Sequence, residues 1–202
     1  STNMQVLVLG GHGKVARYLT PLLLNRAWNV TSVVRKAEHE DDIMSLGEGR
    51  KGKVNVLVSS LDQVKSASDA QKILDTVSPD YVVWSAGAGG KGGPESTIAV
   101  DQEAAKHFLS ASFASAYVTE LDGDAPATRK VQLGRTAGRG GVTREDVAIV
   151  ADQLLASADA KGWIDLINGD MPVEVAVEKV GNGKYDAVEG EDVEGMVRRF
   201  FP

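Results

Sequence analysis

Near the start of the chain, Gly10-Gly11-His12-Gly13-Lys14-Val15-Ala16 sets Gly10, Gly13 and Ala16 at the spacing Gly-x-x-Gly-x-x-Ala. A backbone of that pattern can turn tightly off a strand, meet a pyrophosphate with no side chain in the way, and pack a helix closely on a sheet through a small residue. Amides at the helix start then point at the phosphates, and the helix dipole favours their charge. His12 and Lys14 either add donors beside the phosphates or face solvent. The competing reading is a tight turn with no ligand; the apolar strand before the glycines and the amphipathic helix after them favour the ligand.

A dinucleotide lying on such a turn is read again at the end of the next strand, where an acidic residue would accept from a ribose 2′-hydroxyl. Here stand Arg35 and Lys36. Two cations suit a 2′-phosphate, so NADP is preferred over NAD; the alternative is that they are solvated surface charges, more so for Lys36. Leu61 and Asp62 end the third strand, where Leu61 would cover an adenine and Asp62 would accept from its amino group, though helix capping explains Asp62 almost as well. A second glycine cluster, Gly87 to Gly93, follows the fourth strand, at the switch point where ribose and nicotinamide would cross the sheet edge. Otherwise it is a flexible loop.

The elements that must position these residues alternate. Strands are predicted at Met4–Leu9, Val30–Val34, Val54–Val58 and Tyr81–Trp84, and near-continuous apolar runs of this length mark strands buried on both faces. Between them come a helix from Lys14 with Pro21 as a kink, an acidic helical segment over 38–46, and a helix carrying Val64, Ala67, Ile73, Leu74 and Val77. A longer helix is expected over 94–115. This is an α/β fold, a doubly wound parallel sheet with right-handed crossovers and helices on both faces. Beyond 116 the pattern breaks into short pieces such as Val131-Gln132-Leu133. A helix capped by Thr143 follows, buried through Val147, Val150, Ala151, Leu154 and Leu155. A strand over 163–167 stops at Asn168-Gly169, and a helix begins at Pro172 and runs through Val180. These form a small C-terminal α/β extension, and the tail over 189–194 is acidic and solvated.

Length and composition set the outer limits. The 202 residues suit one large domain, with 1–115 as the cofactor-binding half and 116–202 as the substrate-side part. Charge is −6, which gives no general footprint for nucleic acid or an anionic membrane. With no cysteine there is no thiol nucleophile or disulfide framework, and an intracellular, cytoplasmic protein is expected. No leader or membrane span is visible. His12, His39 and His107 are scattered, so no metal site is expected, and there is no Gly-x-Ser-x-Gly elbow. Only glycine is in excess, 22 of 202 residues, and its two clusters fall at the two strand ends just described.

The stretches VLVLGGHGKVARYL, VVR, VVWSAGAGGKGGPE and TREDVA…LL…GWIDLINGD…P together resemble the atypical short-chain dehydrogenase/reductases, of the NmrA-like and epimerase-like NAD(P)-binding kind. The resemblance covers residues 4 to about 115 and about 125 to 190. It implies a Rossmann fold binding NADP(H), with Gly10, Gly11, His12, Gly13, Lys14 and Val15 at the pyrophosphate and Arg35 at the 2′-phosphate. Leu61 would lie at adenine, and Ser85, Ala86 and Gly87 along the ribose and nicotinamide.

One departure is large. Many members carry Tyr-x-x-x-Lys, whose phenol acts as acid/base with the lysine lowering its pKa. Four residues after Tyr18, Tyr81, Tyr117 and Tyr185 stand Leu22, Ser85, Leu121 and Glu189. The family's fifth strand, next helix and sixth strand are short by some tens of residues near 114–125, either passed over in the chain as written or truly lost. Loss would expose the apolar edge of the fourth strand, which favours the former. No catalytic residue is assigned. Three functions stay open: an oxidoreductase acting on a small carbonyl or alcohol, a non-catalytic NADP(H)-binding redox sensor, and a nucleotide-sugar epimerase or dehydratase. The last also needs the tyrosine and lysine, and a larger substrate domain. The partners expected are a dinucleotide and a small-molecule substrate, with a homo-oligomer open.

Overall fold

A computed structural model describes residues 3–60, 63–85, 117–118, 120–121, 125–134, 140–157 and 164–183. Leu61, Asp62, Ala86, Gly87, the rest of the second glycine cluster, the helix expected over 94–115 and the acidic tail lie outside the described residues. So does most of the stretch 114–125, where a family segment is expected to be missing. The chain divides into two compact units, residues 1–113 with 199–202 and residues 114–198.

In the first unit, β1 (Gln5–Leu9), β2 (Asn29–Val34), β3 (Val54–Val58) and β4 (Tyr81–Trp84) form a parallel sheet in the order β3-β2-β1-β4. This is the Rossmann-type α/β arrangement the alternating pattern predicts. β1 is central, and Val6, Leu7, Val8 and Leu9 are all fully buried, which is why its sequence runs apolar without alternation. Helices α1 (Lys14–Asn25), α2 (Glu40–Met44) and α3 (Ala67–Val77) connect the strands. The crossovers from β1 to β2 and from β3 to β4 run in opposite directions across the sheet, so their right-handedness sets α1 and α3 on opposite faces. On one face Leu7, Leu9 and Val33 pack with Ala70 and Leu74 of α3. Ala16, Leu19, Leu23 and Leu24 are the buried apolar side of α1, and Pro21 lies inside a helix that continues to Asn25.

The start of α3 corrects one expectation. Its cap is Ser66, whose hydroxyl accepts from the Asp69 amide at 3.1 Å, while the Asp69 carboxylate accepts from the Lys65 amide at 3.1 Å. This reciprocal closure of the first turn needs the acid three residues after the cap, a spacing met from Ser66. Asp62 is therefore not the cap.

The second unit holds a mixed sheet in the order β10-β7-β9-β5 and a parallel pair, β6 with β8. The strands are β5 (Tyr117–Val118), β6 (Glu120–Leu121), β7 (Lys130–Gly134), β8 (Gly141–Val142), β9 (Asp165–Asn168) and β10 (Met171–Pro172). β9 and β10 pair antiparallel with opposite edges of β7. Between them the chain passes β7 at Gly169, where a Cβ would stand 2.7 Å from backbone atoms of Val131 and Gln132. Helix α4 (Arg144–Ala156) is capped as predicted, by the Thr143 hydroxyl accepting from the Asp146 amide.

Its buried side differs from the one expected. Ala148, Ile149 and Val150 are buried along with Asp146 and Asp152, whereas Val147, Ala151, Leu154 and Leu155 are half-buried. The reason is polar: the Asp146 carboxylate turns inward to accept from the amides of Thr128 and Arg129 and from both the Thr128 and Thr143 hydroxyls. The last helix, α5 (Val173–Gly183), starts one residue later than expected because Pro172 belongs to β10.

Ser66→Ala should cost about 1 kcal/mol of stability, and Asp62→Ala should stay within about 0.5 kcal/mol of the parent, as read by urea unfolding. The reverse order would reinstate Asp62 as the cap.

Candidate functional site

The loop over residues 10–13 is shaped by its contact with β2. Gly10 takes φ +79°, a backbone region open to glycine, and the amides of Gly10 and Gly11 both donate to the Val33 carbonyl, at 3.1 and 2.9 Å. Gly11 is buried against Ser32, so closely that a Cβ would lie 2.6 Å from the Ser32 Cβ and 2.7 Å from its Oγ. Gly13 donates to the Gly10 carbonyl at 3.1 Å and caps α1 without a side chain. The start of α1, whose first turn includes Lys14 and Val15, thus has no side chain at its cap position, unlike α3 and α4. A carbon at Gly13 would also meet the Gly10 carbonyl at 3.3 Å and that of Ser85 at 3.5 Å. Ser85, whose amide donates to Leu9 at 2.8 Å, is therefore brought against the loop.

The carboxyl ends of β1, β2 and β4 meet here, with a glycine-lined backbone and a helix N-terminus. These residues fit a dinucleotide: the close approaches exclude side chains where a pyrophosphate would run, and the dipole of α1 favours its charge.

Arg35 follows β2 directly, is exposed, and makes no hydrogen bond or ion pair among the described residues. Lys36 is also exposed, with Nζ 3.5 Å from a Glu38 carboxylate oxygen, a pairing of small energetic weight in water.

His12 does not simply face solvent. Its ring stacks on that of His39, centroids 3.7 Å apart and planes within 3°, and its Nε2 lies 2.9 Å from the Asp42 carboxylate. The histidines expected to be scattered are thus in part a pair, and the acidic segment over 38–46 supplies Asp42 as a partner of His12; His107 lies outside the described residues. The hydrogen bond from His12 holds the Asp42 carboxyl below its usual range. Partial burial, and then the charge of His12, push His39 below the usual imidazole range. Sequence distance hid this cluster, because His12 and His39 belong to different connections. The available signal was that β1 and β2 read as parallel strands of one sheet, so the connections leaving them, which carry His12 and His39, both start at its carboxyl edge. Among the described residues no group of three or more His, Cys, Asp or Glu is arranged to hold a metal, and no helix is long and apolar enough to cross a membrane.

The sheet order and the glycine turn define an NAD(P)-binding domain of Rossmann type. The chain belongs to the NAD(P)H-binding family, whose model matches residues 10–121. It is 41% identical over 99 residues to the UPF0659 protein C216.03 of Schizosaccharomyces pombe, a match that takes in 49% of this chain and only 37% of that protein. Among solved structures it is similar to an NAD-dependent epimerase/dehydratase from Bacillus halodurans, at 26% identity and a TM-score of 0.67 over 87% of this chain and 99% of that one. The oxidoreductase ylbE from Lactococcus lactis shares the fold at 15% identity and a TM-score of 0.69, covering 88% of this chain and 96% of its own. So does a short-chain dehydrogenase/reductase from Veillonella parvula solved in complex with NADP, at 20% identity and 0.56, over 85% and 99%.

Gly11→Ala is expected to cost about 1–3 kcal/mol by overpacking. Combined with Ser32→Gly, the losses should be less than additive by about 0.5 kcal/mol or more in a denaturation cycle. Strict additivity would show that the approach of Gly11 to Ser32 does not constrain the loop.

Proposed function

We propose that this chain is an NADP(H)-dependent oxidoreductase of the atypical short-chain type, acting in the cytoplasm on a small carbonyl or alcohol. The observation that carries the reading is Arg35: a cation with no partner among the described residues, at the strand end where an NAD-selective site would place a carboxylate. In this reading Gly10, Gly11, Gly13 and the first turn of α1, with Lys14 and Val15, hold the pyrophosphate through backbone amides, and His12 stands beside it. Arg35 takes the 2′-phosphate in charge-assisted hydrogen bonds, and Lys36 adds a weaker field. Leu61 and Asp62 border the adenine; Ser85, Ala86 and Gly87 follow the ribose towards the nicotinamide. When bound, the nicotinamide supplies or accepts the hydride. The absence of cysteine supports a reducing compartment.

A second reading is a non-catalytic NADP(H) sensor of the NmrA-like kind. What favours it is that none of the four tyrosines has a lysine four residues on, so the usual acid/base pair is not found in this chain. Turnover separates the two: the oxidoreductase reading expects loss of NADPH absorbance with at least one member of a broad panel of small aldehydes and ketones. Tight NADPH binding with no turnover across the panel would favour the sensor.

Arg35→Glu should weaken NADPH by about tenfold to a hundredfold, the weight of one or more charge-assisted hydrogen bonds. NADH should change by less than about threefold, as for a surface charge outside its contacts. Fluorescence titration of both cofactors checks this, and equal losses would show that Arg35 does not read the 2′-phosphate.

A further inference from the structure

We propose that His39 is a specificity-determining part of the 2′-phosphate site, gaining a proton when NADP(H) binds and none when NAD(H) binds. This rests on the dinucleotide reading above and goes beyond it in naming a titrating group.

The placement comes from three links across the end of β2. The Gly10 and Gly11 amides hold the glycine loop on Val33. Arg35 comes two residues after that carbonyl, and the turn that follows folds back, the His39 amide donating to the Lys36 carbonyl at 3.1 Å. The His39 ring then lies flat on His12, which belongs to the loop. The stack therefore bridges the two segments that border Arg35, and it is partly buried, His39 retaining 23% side-chain exposure and His12 27%.

Charge in this stack is limited by its own geometry. Two parallel imidazoles 3.7 Å apart resist carrying two positive charges, since like charges so close disfavour one another's ionised form. One of the two already has a fixed anionic neighbour, His12 with Asp42. His39 has no comparable partner: Glu38 stands 3.9 Å from its Nε2 on an exposed side chain. The charged groups facing the stack are Lys36 and Glu38 from the turn, Asp42 from α2, and Arg17 from α1, which acts on Asp42. Lys36 and His12 oppose a proton on His39, whereas Glu38 and Asp42 favour it. Burial, the largest influence, opposes the proton too, so the ring's proton affinity is held below that of an ordinary imidazole.

A phosphate monoester at Arg35 changes this balance. It brings close to two negative charges and strong acceptor oxygens, which offset the repulsion from His12 and Lys36 and raise the proton affinity of His39. NAD(H) has a hydroxyl there and supplies no such charge. The sign is fixed by linkage: the bound form holds more protons than the free form, so affinity for NADP(H) rises as pH falls between the two pKa values of His39, by up to about tenfold per pH unit. The phosphate's own titration, near pH 6, works in the opposite direction, so an affinity that rises towards acid is assigned to the protein.

Isothermal titration of the full chain with NADP+ and with NAD+, at pH 7 in buffers of different ionisation enthalpy, reads the proton directly. NADP+ should bind with net proton uptake, and NAD+ with close to none. His39→Phe keeps a flat ring to stack and cannot titrate; it should abolish the uptake seen with NADP+ and flatten the affinity difference between pH 6 and pH 8. His39→Gln serves the same purpose if the phenylalanine variant does not fold. Equal uptake with both cofactors would overturn the proposal by placing the linked proton at the shared pyrophosphate. Uptake unchanged in either variant would assign it to another group. If NADP+ and NAD+ both bind without differential uptake, only this inference fails; if neither binds, the dinucleotide reading fails with it.

Discussion

The Val33 carbonyl accepts two hydrogen bonds, from the amides of Gly10 and Gly11, and the backbone at Gly11 lies on Ser32 with no room for a carbon between them. This contact determines most of what is found at the sheet edge. It forces the chain leaving β1 to turn over the end of β2 before α1 begins, which is possible because Gly10 accepts a positive φ and Gly11 has no side chain. The same contact carries His12 over the neighbouring connection, where it meets His39 and Asp42. It also leaves Arg35 just beyond the covered strand end. Ser32 is fully buried, and its hydroxyl has no partner among the described residues, so the close packing is kept at the expense of one unsatisfied polar group.

The helix starts repeat the theme with different chemistry. Where α3 and α4 close their first turns with Ser66 and Thr143, each accepting from an amide three residues on, α1 starts at a glycine. A hydroxyl at position 13 would satisfy an orphan amide and also stand towards the Ser85 backbone, 3.5 Å from its carbonyl oxygen at the Cβ alone. Leaving it out keeps the space between the ends of β1 and β4 open to a ligand. The dipole of α1, aimed at that space, then favours an anion there. In the other two helices the same dipole is answered internally, by Asp69 and by Glu145 and Asp146 in their first turns.

Much of this was legible in the sequence because the physics is local. Apolar runs of strand length alternating with helical stretches predict four parallel strands whose bounds agree with the structure within a residue, and Val54–Val58 coincides with β3. Gly10, Gly13 and Ala16 were readable as a turn because each has a steric reason that depends only on near neighbours. What was not legible depended on contacts across the fold. Asp146 turns inward on account of Thr128 and Arg129, which lie 18 and 17 residues away, and so rotates the buried side of α4 away from its apolar stripe. His12 and His39 are separated by a helix and a strand, and neither sequence periodicity nor spacing pairs them. Gly169 reads as an ordinary turn glycine, and only the sheet order shows that it passes against the backbone of β7. The cap of α3 turns on a smaller point: Asp62 and Ser66 are both good cap residue types, and the acid at Asp69 fits only Ser66.

The central claim is that residues 10–15 hold a dinucleotide's pyrophosphate and that Arg35 reads its 2′-phosphate. A crystal structure of the full chain with NADP+ tests both parts at once. The account predicts the pyrophosphate over the first turn of α1, accepting from its backbone amides, and the 2′-phosphate within hydrogen-bond distance of the Arg35 guanidinium. A dinucleotide bound away from the glycine loop, or one seated there with its 2′-phosphate turned from Arg35 into solvent, would contradict it.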